Sequence, residues 1–129
     1  MREILFRGKT EKGEWVYGDL LHPDNCGNGY SIEDFTKEKN NCFDVIPSTI
    51  GQYTGLTDKN GKRIFEGDIV VVDLVHFPTQ KGVVTYTKDF FGLDIKDVTP
   101  VQHCIDYAIR NGQVEIIGNI HDNPELLET

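Results

Sequence analysis

The sequence predicts a mainly β protein: a small barrel or a strongly curved antiparallel sheet, with one helix near residues 100–110 and a short C-terminal helical turn. Three observations predict it. β-branched and aromatic residues gather in short runs such as Ile69–Phe77 (IVVVDLVHF) and Val83–Thr87 (VVTYT). Glycine and asparagine punctuate those runs at close spacing, most clearly at Asn60-Gly61, where both residues tolerate the left-handed backbone angles of a tight hairpin. Only Thr99–Gly112 replaces the two-residue β rhythm with a helical one.

Taken in order, residues 2–8 (REILFRG) and 14–21 (EWVYGDLL) read as two strands joined through Thr10–Gly13, with Gly13 available for a positive φ. Side chains alternate along a strand, so Trp15 and Tyr17 share a face. Residues 22–42 are rich in Asn, Gly, Asp and Lys and read as an irregular excursion. Within it Ser31-Ile32-Glu33-Asp34 fits a helix capping box, while Tyr30 and Ile32 fit a short strand equally well. Strand character returns over Thr49–Thr54 and, after the turn Asp58–Lys62, over Arg63–Phe65. Glu66-Gly67-Asp68 makes a second turn into Ile69–Phe77, and Lys81-Gly82 turns the chain into Val83–Thr87. The run EGDIVVV followed by a second β-rich segment is similar to the opening of SH3-like barrels, an architecture that hosts many unrelated functions.

The helix over residues 99–112 has Thr99 as cap with Gln102 three residues on, and Pro100 at its first position. Val101, Cys104, Ile105, Ala108 and Ile109 fall on one side, and Gly112 closes the end. Residues 113–120 (QVEIIGNI) form a last strand, and Asn123-Pro124-Glu125 opens a helical turn carrying Leu126 and Leu127. Neither a repeat nor a linker interrupts the chain, so residues 1–129 read as a single domain.

Composition narrows the function classes. With 38% apolar and 26% charged residues, the chain sits near globular averages and is not a disordered one. No apolar run approaches the ~18 residues of a membrane span. The longest apolar run near the N-terminus is Ile4-Leu5-Phe6, too short for a secretory leader, so a cytoplasmic protein is expected. Cys26, Cys42 and Cys104, odd in number and widely spaced, are a poor disulfide framework and suit a reducing compartment. The net charge of −8 disfavours nucleic acid as a partner, because phosphate contacts need Lys and Arg gathered on one face. Such a gathering would have to come from Arg7, Lys9, Lys12, Lys59, Lys62 and Arg63.

Reactive constellations are thin. His22, Cys26, Cys42, His76, His103, Cys104 and His121 supply metal-ligand types, yet no Cys-x2–4-Cys pair brings two of them together. Core and loop roles account for them better, and no metal or cofactor is expected. Ser31 and Ser48 lie outside any Gly-x-Ser-x-Gly elbow, and Cys42 with His76 is the remaining nucleophile–base pairing. Glu66 and Asp68 flank Gly67 as turn residues rather than as an acid–base pair. RGKT at 7–10 lacks the upstream glycine of a phosphate loop. Trp15, Tyr17, Tyr53, Phe65, Tyr86, Phe90 and Phe91 supply the aromatics of a base-stacking platform, but core packing accounts for most of them. Phe90 and Phe91 point to opposite faces, so one of them is offered to an interface.

TIGQYTGLTDKNGKRIFEGDIV and IIGNIHDNPELLE, preceded by FRG and WVYGDL, resemble the YopX family of phage and prophage proteins. The resemblance runs from Phe6 to Glu128, with residues 22–42 and 77–113 outside its recognisable blocks. It implies a phage or prophage origin, action in the bacterial cytoplasm, assembly into homo-oligomers, and no established activity, so it carries over no catalytic residue. The motif residues themselves read as structural: Gly55, Gly61 and Gly67 where turns need them, Asp58 and Asp68 as acceptors for turn amides. A non-enzymatic accessory protein acting through protein–protein contacts is therefore expected, its partner another copy or a host or phage protein. The alternative is a nucleic-acid-binding or regulatory module.

Overall fold

The computed structural model describes residues 4–22, 29–34, 36, 41–74, 79–87, 90–95, 103–104, 109–110 and 112–127. The chain forms two compact units, Met1–Tyr53 and Thr54–Thr129.

The first unit is built on a hairpin of β1 (Phe6–Lys9) and β2 (Trp15–Leu21). Lys9 faces Trp15 and Arg7 faces Tyr17 across it. The turn is closed by Thr10 N–H donating to the Glu14 carbonyl and Gly13 N–H to the Thr10 carbonyl, both at 2.9 Å. Strand β3 (Ser31–Glu33) pairs with β2, and β4 (Cys42–Asp44) pairs with β3. Strand β5 (Gly51–Thr57) begins against β1 and carries the chain into the second unit. Of the two readings of Ser31–Asp34, the strand holds: Ile32 is fully buried, which a solvent-facing cap would not allow.

Alternation along β2 explains the layering. Val16, Gly18 and Leu20 turn inward; Trp15, Tyr17 and Asp19 turn out. The core is Val16, Ile32 and Val45, flanked by Phe6, Leu20, Tyr30, Phe43 and Ile50. Gly18 is where the backbones come closest, since a Cβ there would run into the Glu33 carbonyl group. After β4 the chain passes over Gly8 at Val45 and bonds to β1, with Ile46 N–H donating to the Lys9 carbonyl. A 3-10 turn at Pro47–Thr49 follows.

In the second unit β5 pairs with β6 (Arg63–Phe65). A five-stranded antiparallel sheet follows, made of β7 (Asp68–Leu74), β8 (Gln80–Thr87), β9 (Phe90–Ile95), β10 (His103–Cys104) and β11 (Gly112–Asn119). Its order is β10-β9-β8-β7-β11. The core is Ile64, Val70, Val72, Val84 and Val114, with Leu56, Ile109 and Ile116 against it. Pro124–Leu127 is a 3-10 turn, the expected C-terminal one.

Three expectations are corrected. Among the described residues both sheets are open, the six-stranded one ending on β4 and β6 and the five-stranded one on β10 and β11, so no barrel closes there and the curved-sheet alternative holds. The helix does not span 99–112: His103 and Cys104 pair with Leu93 and Gly92 of β9, and only Ile109 and Arg110 are helical among the described residues of that stretch. Pairing along β9 overrides the local helical pattern there. The other positions of the expected helix lie outside the described residues. Lys81 and Gly82 sit within β8, opposite Val71 and Val70, rather than in a turn. Val75–Pro78, which includes the end of the expected long strand, lies outside the described residues. Among the described residues no helix is long and apolar enough to cross a membrane.

Candidate functional site

The glycine-rich blocks of the second unit build a polar frame. Asp58 opens the β5–β6 turn, and its Oδ1 accepts from the N–H groups of Asn60 and Lys62, both at 2.9 Å. Its Oδ2 reaches across to the outermost strand and accepts from Ile116 N–H at 3.0 Å. Lys59 N–H donates to the Val114 carbonyl, so one turn satisfies two edge groups of β11 beside its bulge at residues 116–118. The chain can make this turn because Gly61 has φ +83, a region closed to most residues with a Cβ. Burial raises the Asp58 pKa, but the three amide donors and the neighbouring Lys62 charge outweigh it, leaving the carboxyl below its ordinary value.

The next block works the same way. Asp68 is buried and its Oδ2 accepts from Phe65 N–H at 2.8 Å. Gly67 N–H donates to Val84 of β8, and Ile120 N–H donates to the Gly67 carbonyl. At the C-terminal block, Asn119 Oδ1 accepts from the N–H groups of His121 and Asp122, and Asn123 Oδ1 accepts from Asn119 N–H. Gly118 packs so closely on Asn123 and Leu126 that a Cβ would collide with both. Gly67 has a positive φ in the turn between β6 and β7, as expected, whereas Gly55, also at positive φ, lies within strand β5 and not in a turn.

The hairpin of the first unit gathers basic and aromatic side chains, of which Arg7 is buried and Tyr17 exposed. Arg7, Lys9, Trp15 and Tyr17 share the face of the β1–β2 hairpin opposite its core. The Arg7 guanidinium lies 4.8 Å from the centre of the Trp15 ring, and the Lys9 ammonium 5.9 Å from it. Beside the hairpin turn, an open cavity of about 380 Å³ is lined by Thr10, Glu11, Lys12, Glu14 and the whole of β4. Neither the stack nor this cavity was expected from the sequence, although the hairpin register that pairs Lys9 with Trp15 follows from the turn length.

The described candidate reactive residues fall on different elements of the two units. His22 is exposed beside Tyr30, Cys42 lies on β4 in the first unit, and His121 follows β11 in the second. Cys26 and His76 lie outside the described residues, as do the side chains of His103 and Cys104. Among the described residues no three His, Cys, Asp or Glu gather with metal-ligand geometry. Ser31 is fully buried and receives the Cys42 thiol at 3.6 Å, while Ser48 is exposed on the 3-10 turn. Asp68 Oδ2 accepts from Phe65 N–H at the turn it shares with Glu66. Arg7, Gly8 and Lys9 are strand residues and Thr10 closes the hairpin turn. Tyr53 and Phe65 are buried; the side chains of Phe90 and Phe91 lie outside the described residues. Of the basic residues, Arg7, Lys9 and Lys12 belong to the first unit, and Lys59, Lys62 and Arg63 to the second.

Comparison with known proteins then adds three findings. A family model described as YopX protein matches residues 5–128. The chain is similar to the crystal structure of protein EF1440 from Enterococcus faecalis, at 27% identity and a TM-score of 0.59, covering 99% of this chain and 100% of that one. No curated protein matches.

Proposed function

The chain belongs to the YopX protein family, and on that premise we propose that it is a phage- or prophage-encoded accessory protein of the bacterial cytoplasm, non-enzymatic and acting through protein–protein contacts as a homo-oligomer. The observation that carries this reading is where the polar side chains of its glycine-rich blocks are spent. Asp58, Asp68, Asn119 and Asn123 all accept main-chain N–H groups. Asp58, with three amide donors, is held below its ordinary pKa and is a poor carrier of protons near neutral pH.

The surface offers apolar contact area in addition. Tyr86 is 51% and Tyr17 41% exposed, with Ile4, Ile46 and Ile117 also open. Aromatic side chains are enriched in the cores of interfaces, where their size removes much apolar area from water. Multi-angle light scattering at about 10 μM, well above a typical stable-dimer Kd, tests the assembly: a mass several times the monomer is expected. A monomer at that concentration removes the homo-oligomer.

A second reading, a nucleic-acid-binding or regulatory module, is favoured by the hairpin face where Lys9, Trp15 and Tyr17 lie together, with the buried Arg7 packed on the Trp15 ring beneath them. Cationic and aromatic side chains in one strip suit single-stranded nucleic acid. Filter binding at low salt decides it, and absence of retention for both DNA and RNA ends it.

A further inference from the structure

The cavity beside β4 carries a more specific inference. Its walls are the β1–β2 turn on one side and the outermost described strand of the first sheet on the other. Phe43 packs partly on the core formed by Val16, Ile32 and Val45, and also lines the cavity. Around it stand Glu11, Glu14 and Asp44, all exposed, against a single cation, Lys12. The turn is already set by three hydrogen bonds between Thr10, Gly13 and Glu14, so an occupant would meet a formed wall.

The ladder also fixes the direction of the β4 backbone. Asp34 N–H donates to the Asn41 carbonyl and Val45 N–H to the Tyr30 carbonyl, so positions 41 and 45 face β3. Alternation then points the N–H and C=O of Asp44 away from the sheet. An apolar floor, an anionic rim and an outward strand backbone meet in one place.

We propose that this groove takes an extended, lysine- or arginine-bearing segment of a partner protein. The segment would lie along β4, one basic side chain resting its methylenes on Phe43 and its charge among Glu11, Glu14 and Asp44. The proposal deepens the protein-contact reading of this chain and rests on it. Charge complementarity selects the occupant: three carboxylates against one ammonium favour a cationic chain and repel an acidic one.

Fluorescence anisotropy tests it with a labelled nonapeptide alternating lysine and valine, alongside its glutamine–valine counterpart. The lysine peptide should bind and the glutamine peptide should not. The double variant Glu11→Lys with Glu14→Lys should weaken binding on the order of tenfold, as reversing two exposed ion pairs implies. A control with Asp73→Lys and Glu125→Lys makes the same change in net charge on exposed sites of the second unit and should leave binding near the parent value. Equal weakening by both double variants means diffuse attraction to an acidic protein and overturns the groove, as does equal binding of the two peptides. Light scattering on the same samples separates this from the broader reading. A monomer that still binds selectively removes the homo-oligomer and leaves the groove; an oligomer without selective binding removes the groove alone.

Discussion

Replacing Asp58 by asparagine exchanges one carboxylate oxygen for an NH2 group and otherwise keeps the shape of the side chain. The remaining oxygen can serve only one side of the site. If it stays with Asn60 and Lys62, both at 2.9 Å, the new NH2 faces the Ile116 N–H that was 3.0 Å from Oδ2, and two donors oppose each other. Asp58 is 6% exposed, so water replaces the lost acceptor poorly. One charge-assisted bond lost beside a buried unsatisfied donor costs about 2–3 kcal/mol. Asp58→Ala should cost about 3–4 kcal/mol, because three main-chain donors then lose their acceptor. Urea unfolding followed by far-ultraviolet dichroism measures both. The pH dependence gives a second, independent check. The folded-state pKa lies below the ordinary 3.8, so the stabilisation from ionised Asp58 is fully present above that value and is lost as pH falls through the folded-state pKa. The stability gap between the parent and Asp58→Asn should therefore be level between about pH 7 and 5 and narrow below about pH 4. A loss under about 0.5 kcal/mol near neutral pH refutes the argument, as does a gap that persists undiminished into acid.

Two further outcomes follow from the first unit. Gly18→Ala should cost more than about 3 kcal/mol, because its Cβ would meet the Glu33 carbonyl rather than a movable side chain, and thermal unfolding near the parent temperature would show that the backbones can separate cheaply. A double-mutant cycle on Arg7→Ala and Trp15→Ala should return a coupling of about 1 kcal/mol from the 4.8 Å stack, and additive losses would mean the two side chains merely adjoin.

What could be read in advance was chiefly turn chemistry and strand rhythm. Asn60-Gly61 announced its hairpin because the backbone angles it needs are local, and the same holds for Asp68, whose acceptor is used three residues away. Trp15 and Tyr17 shared a face as alternation required. The helix over 99–112 failed at His103 and Cys104 for a non-local reason: their partners are Leu93 and Gly92, and pairing across a sheet leaves no trace in a helical apolar spacing. Lys81-Gly82 looked like a turn for the opposite cause. Glycine is a poor strand residue, yet Gly82 is buried within β8 opposite Val70. The acidic groove was invisible because Glu11 and Glu14 reach β4 only through pairings that place a strand from beyond the irregular excursion near the first hairpin.

The direction of the Asp58 shift bears on what this one carboxyl can do. A carboxyl used as a general acid or base must exchange a proton near working pH, which requires burial or a neighbouring anion to raise its pKa. Asp58 is buried, yet amide donors from three positions and a nearby lysine drive it the other way. The two edge groups satisfied by its turn are on the outermost strand β11, where bare main-chain donors and acceptors invite other chains to pair. The Asp58 charge sits at a sheet edge, where its turn blunts one strand against unwanted pairing. Strand β4, with Asp44 facing outward under an anionic rim, has a different character: repulsion from acidic chains and attraction for basic ones make it selective.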